Sequence, residues 1–217
     1  MKIENVVSEL GSDWTVLEAQ PEESDGFPPV ASLIVHTGTV AAPSPDRLAA
    51  AGSIAFHPWI SGAVRCGREV SPLTAQRISR SFEPAWTSVE PVMRRAFPLP
   101  RGRAEVTISA VAARSSEAPV LRFTPVSRGA ATRFGPGVVD VPSNAALLEA
   151  LSPPGSDCRG AAILAAATLL AEPAGVASYV LDESLVSQRV ASRFQPLLEA
   201  VGLAISWRAA PATAAAS

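Results

Sequence analysis

The chain has 217 residues, of which 47% are hydrophobic and 18% charged, and its formal net charge is −2. This composition excludes a mainly disordered protein, and the length suits a single core-forming domain or a domain with a small extra lobe. A net charge this small gives no general attraction to nucleic acid, so binding of that kind would depend on a local basic patch.

The sequence also predicts the setting in which the protein works. Its acidic start has no basic segment followed by an apolar run, so we expect no secretory signal. The longest apolar stretch, 161–171, is about half of the roughly 20 residues that a membrane span needs. Lys2 is the only lysine among 18 basic residues, a preference for arginine that is typical of GC-rich bacterial genomes. We therefore expect a soluble bacterial protein in the cytoplasm, without a membrane partner.

The first 60 residues predict three strands and a short helix. Residues 14–18 and 30–35 are apolar and rich in β-branched side chains, as is typical of strands. A short helix is predicted over 43–51, opened by a serine or an aspartate. A strand is predicted over 53–60, where Pro58 favours an edge or a bend.

Serine and proline mark the helices that follow. Ser71 followed by proline is a favourable helix start, so a helix is predicted over 72–82, before Pro84. A second short helix is predicted over 91–97, where the prolines at 98 and 100 end it.

The middle of the chain predicts strands. Residues 104–113 and 119–126 alternate apolar and polar side chains on either side of a short polar segment, which favours an antiparallel hairpin. A third strand over 132–141, bent at its glycines, would extend the hairpin into a meander.

The C-terminal third alternates helix and strand. The predicted elements are helix 143–151, helix 158–171, strand 176–181, helix 184–201 and strand 203–207. A strand, a crossover helix and a second strand in this order favour a parallel, right-handed pair. No internal repeat is apparent. The sequence therefore predicts one α+β (mixed α/β) domain over 1–208, followed by a disordered tail over 209–217.

Arginines are concentrated in one segment of the chain, whereas the first 27 residues are acidic. The arginines between 61 and 103 are Arg65, Arg68, Arg77, Arg80, Arg94, Arg95, Arg101 and Arg103. Guanidinium groups gathered on one surface bind carboxylates and phosphates, so we predict an anion site at Arg65, Arg68, Arg77 and Arg80. The alternative is a solvated basic face whose charge is balanced by the acidic N-terminal segment.

The cysteines and histidines offer few candidates for chemistry. Positive charge near Cys66 favours its thiolate, and His57 would serve as its base if the two residues meet in the fold. Cys158 begins a predicted helix but has no histidine downstream, so a structural role is expected. No pair of these residues has metal-ligand spacing, and the absence of an interior lysine excludes a Schiff base or a P-loop. We therefore predict neither a metal nor a cofactor.

Three functional classes follow from these observations. The first is an accessory protein that works through contacts, with the arginine-rich segment 61–103 meeting an acidic protein surface or a small anionic ligand. The second is an enzyme for an anionic or phosphorylated substrate. Nucleic-acid binding is the weakest, because the arginines are not interleaved with stacking aromatics. The sequence leaves the oligomeric state open.

Overall fold

A computed structural model of the chain describes residues 1–38, 43–82, 87–95, 99, 102–109, 118–127, 129–153 and 158–208. The strands are Lys2–Val6 (β1), Trp14–Gln20 (β2), Ser32–His36 (β3), Val64–Val70 (β4), Val89–Val92 (β5), Ala104–Ile108 (β6), Val120–Thr124 (β7), Arg133–Gly135 (β8), Val138–Pro142 (β9), Val176–Leu181 (β10) and Ala204–Trp207 (β11). The helices are Pro45–Phe56 (α1), Pro72–Ser81 (α2), Ala145–Ala150 (α3), Ala161–Leu170 (α4) and Gln188–Ala200 (α5), and a 3-10 turn at His57–Trp59 follows α1.

The strands form two mixed sheets, which confirms the predicted α+β fold class. The first sheet has the order β3-β2-β1-β4-β5, with antiparallel pairs at β3/β2 and β2/β1 and parallel pairs beyond. The second has the order β11-β10-β6-β7-β9-β8, and its pairs are parallel except for β8/β9. The parallel pair β10/β11, joined by α5, confirms the parallel direction predicted for these two strands.

The predicted antiparallel hairpin over 104–113 and 119–126 is wrong. Strands β6 and β7 are there, but they pair in parallel, with Thr107 opposite Val120 and Ile108 opposite Leu121. An alternating pattern indicates which face of a strand is buried, whereas the direction of its neighbour depends on the connection between them. That connection includes residues 110–117, which lie outside the described part. The antiparallel hairpin is instead β8/β9, which turns at Gly137 with a φ of 68°.

Two other predictions fail near the beginning and middle of the chain. The expected strand over 53–60 is wrong, because α1 continues through it to Phe56 and the 3-10 turn follows. Gly52 within α1 lies against β1, where a Cβ atom would overlap the Ile3 side chain, so close packing onto the sheet favours the helix. The expected helix over 91–97 is replaced at its start by β5, and its end lies outside the described residues.

Helices α1 and α4 lie between the two sheets. Every residue of α4 is buried, as its apolar sequence on all sides predicts. Helix α1 packs against α4 as well as against β4, and Tyr179 of β10 donates a 2.7 Å hydrogen bond to the Ala167 carbonyl of α4. The sheets also meet directly through an antiparallel bridge between Val35 and Ser143. The single domain over 1–208 stays a prediction, and the tail over 209–217 lies outside the described residues.

The two halves of the chain repeat one arrangement, which the sequence analysis missed. In the first half, β1, β4 and β5 are parallel neighbours, with α1 before β4 and α2 before β5. In the second half, β6, β10 and β11 are parallel neighbours in the same way, with α4 before β10 and α5 before β11. Identical residues separated by 112 positions mark the equivalence: Arg47 and Arg159, Val64 and Val176, Gln76 and Gln188, Arg77 and Arg189, and Phe82 and Phe194.

Equivalent helices pack on each other, α1 on α4 and α2 on α5, as a two-fold relation between the halves requires. The halves differ in their remaining strands, because β2 is antiparallel to β1 whereas β7 is parallel to β6. No helix within the described residues is long and apolar enough to cross a bilayer.

Candidate functional site

Two of the predicted anion ligands, Arg65 and Arg68, lie on strand β4. Arg65 forms an ion pair of 3.0 Å with Glu22, so part of the acidic N-terminal segment neutralises it locally. Arg68 lines a cavity of about 260 Å³ together with Glu4 and Cys66.

The other two, Arg77 and Arg80, lie on α2. This helix begins at Ser71, whose hydroxyl accepts a hydrogen bond from the Thr74 backbone, and Ile78 is on its buried face. Arg77 is half-buried and Arg80 is exposed. Within the described part neither residue takes part in an ion pair, and Arg65 and Arg68 are on a different element, β4. The use of the four residues as one anion site therefore stays a prediction, and the geometry so far divides them into two pairs.

The predicted pairing of His57 with Cys66 is not formed. Because α1 extends to Phe56, His57 lies at its C-terminal end, whereas Cys66 packs near the start of the helix. Burial, assisted by the nearby Asp46 carboxylate, raises the pKa of the Cys66 thiol to about 12. The predicted activation of Cys66 by its arginine neighbours is therefore opposite in direction to what its surroundings produce.

His57 instead contacts Cys158. Its Nδ1 donates to the Ile54 carbonyl at 3.0 Å, and its Nε2 is 3.6 Å from the Cys158 sulfur. The imidazole also packs edge-on against Phe194, with ring centroids 5.2 Å apart. Both members of the pair are buried, so the contact ties α1, α4 and α5 together inside the protein.

A second buried histidine lies beside a carboxylate and a hydroxyl. His36 is the last residue of β3, opposite Trp14 at the start of β2, and the two rings meet edge to face at 4.9 Å. Its Nε2 is 2.7 Å from Asp13 Oδ2, and its Nδ1 is 2.8 Å from Thr132 Oγ1. These contacts form a continuous chain of carboxylate, imidazole and hydroxyl. We call Asp13, His36 and Thr132 the imidazole chain.

The hydrogen bonds of His36 define its tautomer. The backbone N–H of Thr132 points at Nδ1 from 3.3 Å, and because an N–H can only donate, Nδ1 must be an acceptor. The ring proton is then on Nε2, where it is donated to Asp13. The Thr132 hydroxyl is left to donate to Nδ1 or to the His36 carbonyl, which is 3.3 Å away.

The imidazole chain borders a cavity of about 540 Å³. Its wall on the second sheet is apolar and includes Val106, Leu121 and Val139, and the end of α4 closes another side. Its polar lining residues are His36, Thr37, Thr132 and Tyr179. The Tyr179 hydroxyl is already bonded to α4, so the groups that remain for a ligand are at the end formed by β3 and Thr132.

Few features of the sequence indicate the imidazole chain. His36 directly follows the strand predicted over 30–35, and its partners lie 23 and 96 positions away. Asp13 is in the acidic N-terminal segment, where it resembles any solvated carboxylate. The relevant signal, a histidine and a polar dipeptide after an apolar run, is too common to identify a site without the fold.

The described residues contain no group of three or more histidine, cysteine, aspartate or glutamate side chains that could hold a metal ion. No protein-family model, curated protein or solved structure matches this chain.

Proposed function

We propose that the protein binds a small, neutral and mainly apolar molecule in the 540 Å³ cavity beside the second sheet. The observation that supports this most directly is the cavity itself. Its volume is within the range of small-molecule sites, and its lining is apolar except for a few polar groups at one end.

The lining also indicates the chemistry of the ligand. The apolar body would pack on Val106, Leu121 and Val139, where water is expelled on binding. A carbonyl or hydroxyl group would lie at the polar end, where the Thr132 hydroxyl can donate or accept. The described lining has no arginine or lysine, and the Asp13 carboxylate lies just behind His36, so a neutral ligand fits better than an anion.

The test is binding of a neutral apolar fluorophore, N-phenyl-1-naphthylamine, to the full chain and to a cavity-filling variant. Val139→Trp places a large ring in the space that the fluorophore would fill. The Kd should rise at least tenfold, because each apolar group of the fluorophore that no longer fits in the cavity costs about 1–3 kcal/mol of binding free energy. The matched control is Val7→Trp, since Val7 is 98% exposed and is not in the cavity lining. Equal binding by the two variants, or no binding by the unmodified chain, would contradict the proposal.

A second candidate keeps the arginine-rich contact surface, reduced to α2. The observation that favours it is that Arg80 is exposed and no ion pair within the described part involves Arg77 or Arg80. These residues would meet an acidic protein surface, or a small anion if the protein is an enzyme for an anionic or phosphorylated substrate.

This candidate is tested with the double variant Arg77→Ala/Arg80→Ala, using Arg208→Ala as the exposed control. Phosphorylated metabolites should raise the Tm of the control but not of the double variant. Equal shifts in both would reject the α2 surface. Failure to bind oligonucleotides at low ionic strength would dispose of the nucleic-acid class, since phosphate contacts are strongest there.

A further inference from the structure

We infer that Thr132 is a nucleophile toward esters of apolar acids, with His36 as its general base and Asp13 as the residue that orients the imidazole. The inference rests on the proposed function, because the same cavity would hold the acyl group. It adds a reaction to the binding site.

The distances are those that acyl transfer by a hydroxyl requires. A nucleophile needs a base within hydrogen-bond reach, and the base needs a third group that fixes its orientation and tautomer. Thr132 Oγ1 and His36 Nδ1 are 2.8 Å apart, and His36 Nε2 and Asp13 Oδ2 are 2.7 Å apart. The tautomer set by the backbone of Thr132 leaves Nδ1 able to accept the hydroxyl proton.

The exposure of His36 and Thr132 also suits this assignment. His36 is 6% exposed, so its ring is shielded from water, while Trp14 packs edge-on against it. Thr132 is only half-buried and lines the cavity, where a substrate can reach its hydroxyl. The imidazole is thus held rigidly and the nucleophile is accessible.

A purely structural role would need fewer of these contacts. The segment before β8 is already attached to β3 by the backbone of Thr132 and by its hydroxyl, which both reach His36. The Asp13 carboxylate on the far ring nitrogen is not needed for that attachment. A carboxylate in this place stabilises the imidazolium that forms when His36 takes a proton.

The proposed reaction balances without a cofactor. Thr132 Oγ1 attacks the ester carbonyl carbon while its proton moves to His36 Nδ1. The bond between the carbonyl carbon and the alcohol oxygen then breaks, and the proton passes from Nδ1 to the departing alcohol. Water attacks the acyl-threonine in the same way, giving its proton to Nδ1, which returns one to Thr132. The net change is ester plus water to acid plus alcohol, and Asp13 stays ionised throughout.

The substrate class follows from the cavity. The acyl chain would lie on the apolar wall formed by Leu121 and Val139, with its carbonyl carbon beside Thr132. Uncharged short-chain esters such as p-nitrophenyl butyrate are therefore the probes of choice for turnover. An alkyl fluorophosphonate, which is attacked by activated hydroxyls and loses fluoride, is the probe for the nucleophile.

The experiment treats the full chain with the fluorophosphonate and locates the adduct by peptide mass mapping. We expect a single adduct on Thr132 that is absent from Thr132→Val and retained in Thr132→Ser. Asp13→Asn and His36→Gln should slow both labelling and ester turnover at least about a hundredfold, as loss of general-base catalysis does. The control, Ser127→Ala, changes an exposed hydroxyl in the same segment and should behave like the unmodified chain.

Binding of N-phenyl-1-naphthylamine by each variant separates the two proposals. A chain that binds this fluorophore but forms no adduct on Thr132, or forms it elsewhere, overturns the catalytic inference and leaves the binding proposal intact. A chain that neither binds nor is labelled contradicts both. If His36→Gln fails to fold, Asp13→Asn carries the test, because the Asp13 side chain is 47% exposed and tolerates substitution.

Discussion

Replacing Glu149 with glutamine should raise the free energy of unfolding at pH 8, compared with the unmodified chain at the same pH. At pH 5 the two proteins should be about equally stable. Glu149 lies on α3 with its carboxylate at the start of α4, where Oε1 is 3.4 Å from the backbone nitrogen of Ile163. Burial raises the pKa of this carboxyl from 4.5 to about 7, and the hydrogen bonds from α4 and the charge of Arg159 only partly oppose the shift. Between these two pKa values, the folded protein therefore holds a proton that the unfolded chain has released.

The direction and size of the effect follow from that difference. A group whose pKa is raised in the folded state stabilises the fold fully at a pH below its pKa in the unfolded chain. This contribution is lost as the pH rises through its pKa in the folded protein. For Glu149 the window runs from pH 4.5 to about 7. The shift corresponds to about 3 kcal/mol, and water at the partly exposed carboxylate lowers this to roughly 1–3 kcal/mol.

Urea unfolding of both proteins at intervals between pH 5 and 8 measures the effect. Glutamine resembles the protonated acid, so the two free energies of unfolding should agree near pH 5 and differ by roughly 1–3 kcal/mol at pH 8, with the variant the more stable. Glu199→Gln, at an exposed position of α5, is the matched control and should show little change with pH. A difference between Glu149→Gln and the unmodified chain that stays constant with pH, or that grows toward acid, would refute the reasoning.

Three further outcomes are expected. Gly52→Ala should lower the free energy of unfolding by about 1–3 kcal/mol in urea, because the new methyl overlaps Cγ2 of Ile3, and the loss should be smaller in an Ile3→Ala background, which lacks that atom. Cys66 should react with a thiol reagent at pH 8 at least about a hundredfold more slowly than free cysteine, since its pKa is about 12; a normal rate, measured on its peptide by mass spectrometry, would contradict this. Arg193→Lys should cost about 1–2 kcal/mol, because lysine cannot reproduce both the 2.6 Å hydrogen bond to Ser81 and the stacking on two phenylalanine rings; an unchanged Tm would count against that role.

The helices and the C-terminal strands could be predicted because their signals are local. Ser71 and the proline after it set the start of α2, and the apolar sequence of α4 required a central position. The strand, helix and strand ending at β11 form the parallel pair that this order of elements favours. In each of these segments, the local preference and the tertiary packing agree.

The remainder depends on contacts between distant segments. The residues of β6 and β7 have the same alternation in a parallel as in an antiparallel pair, so their direction could not be inferred from their sequence. The end of α1 is helical because it packs against α4, although its own residues suit a strand. The imidazole chain joins His36 to Thr132 in the other half of the protein, and no local pattern records that approach.

Residues in equivalent places of the two halves have taken on different environments. Arg47 is completely buried, with Nη1 3.5 Å from Glu172, whereas Arg159 is exposed and donates to the Glu183 carbonyl. A dimer of identical subunits must present every feature twice, and any change in one copy is imposed on the other. Joining both copies in one polypeptide removes that constraint, so an arginine that one half buries in the shared interior can lie at the surface in the other.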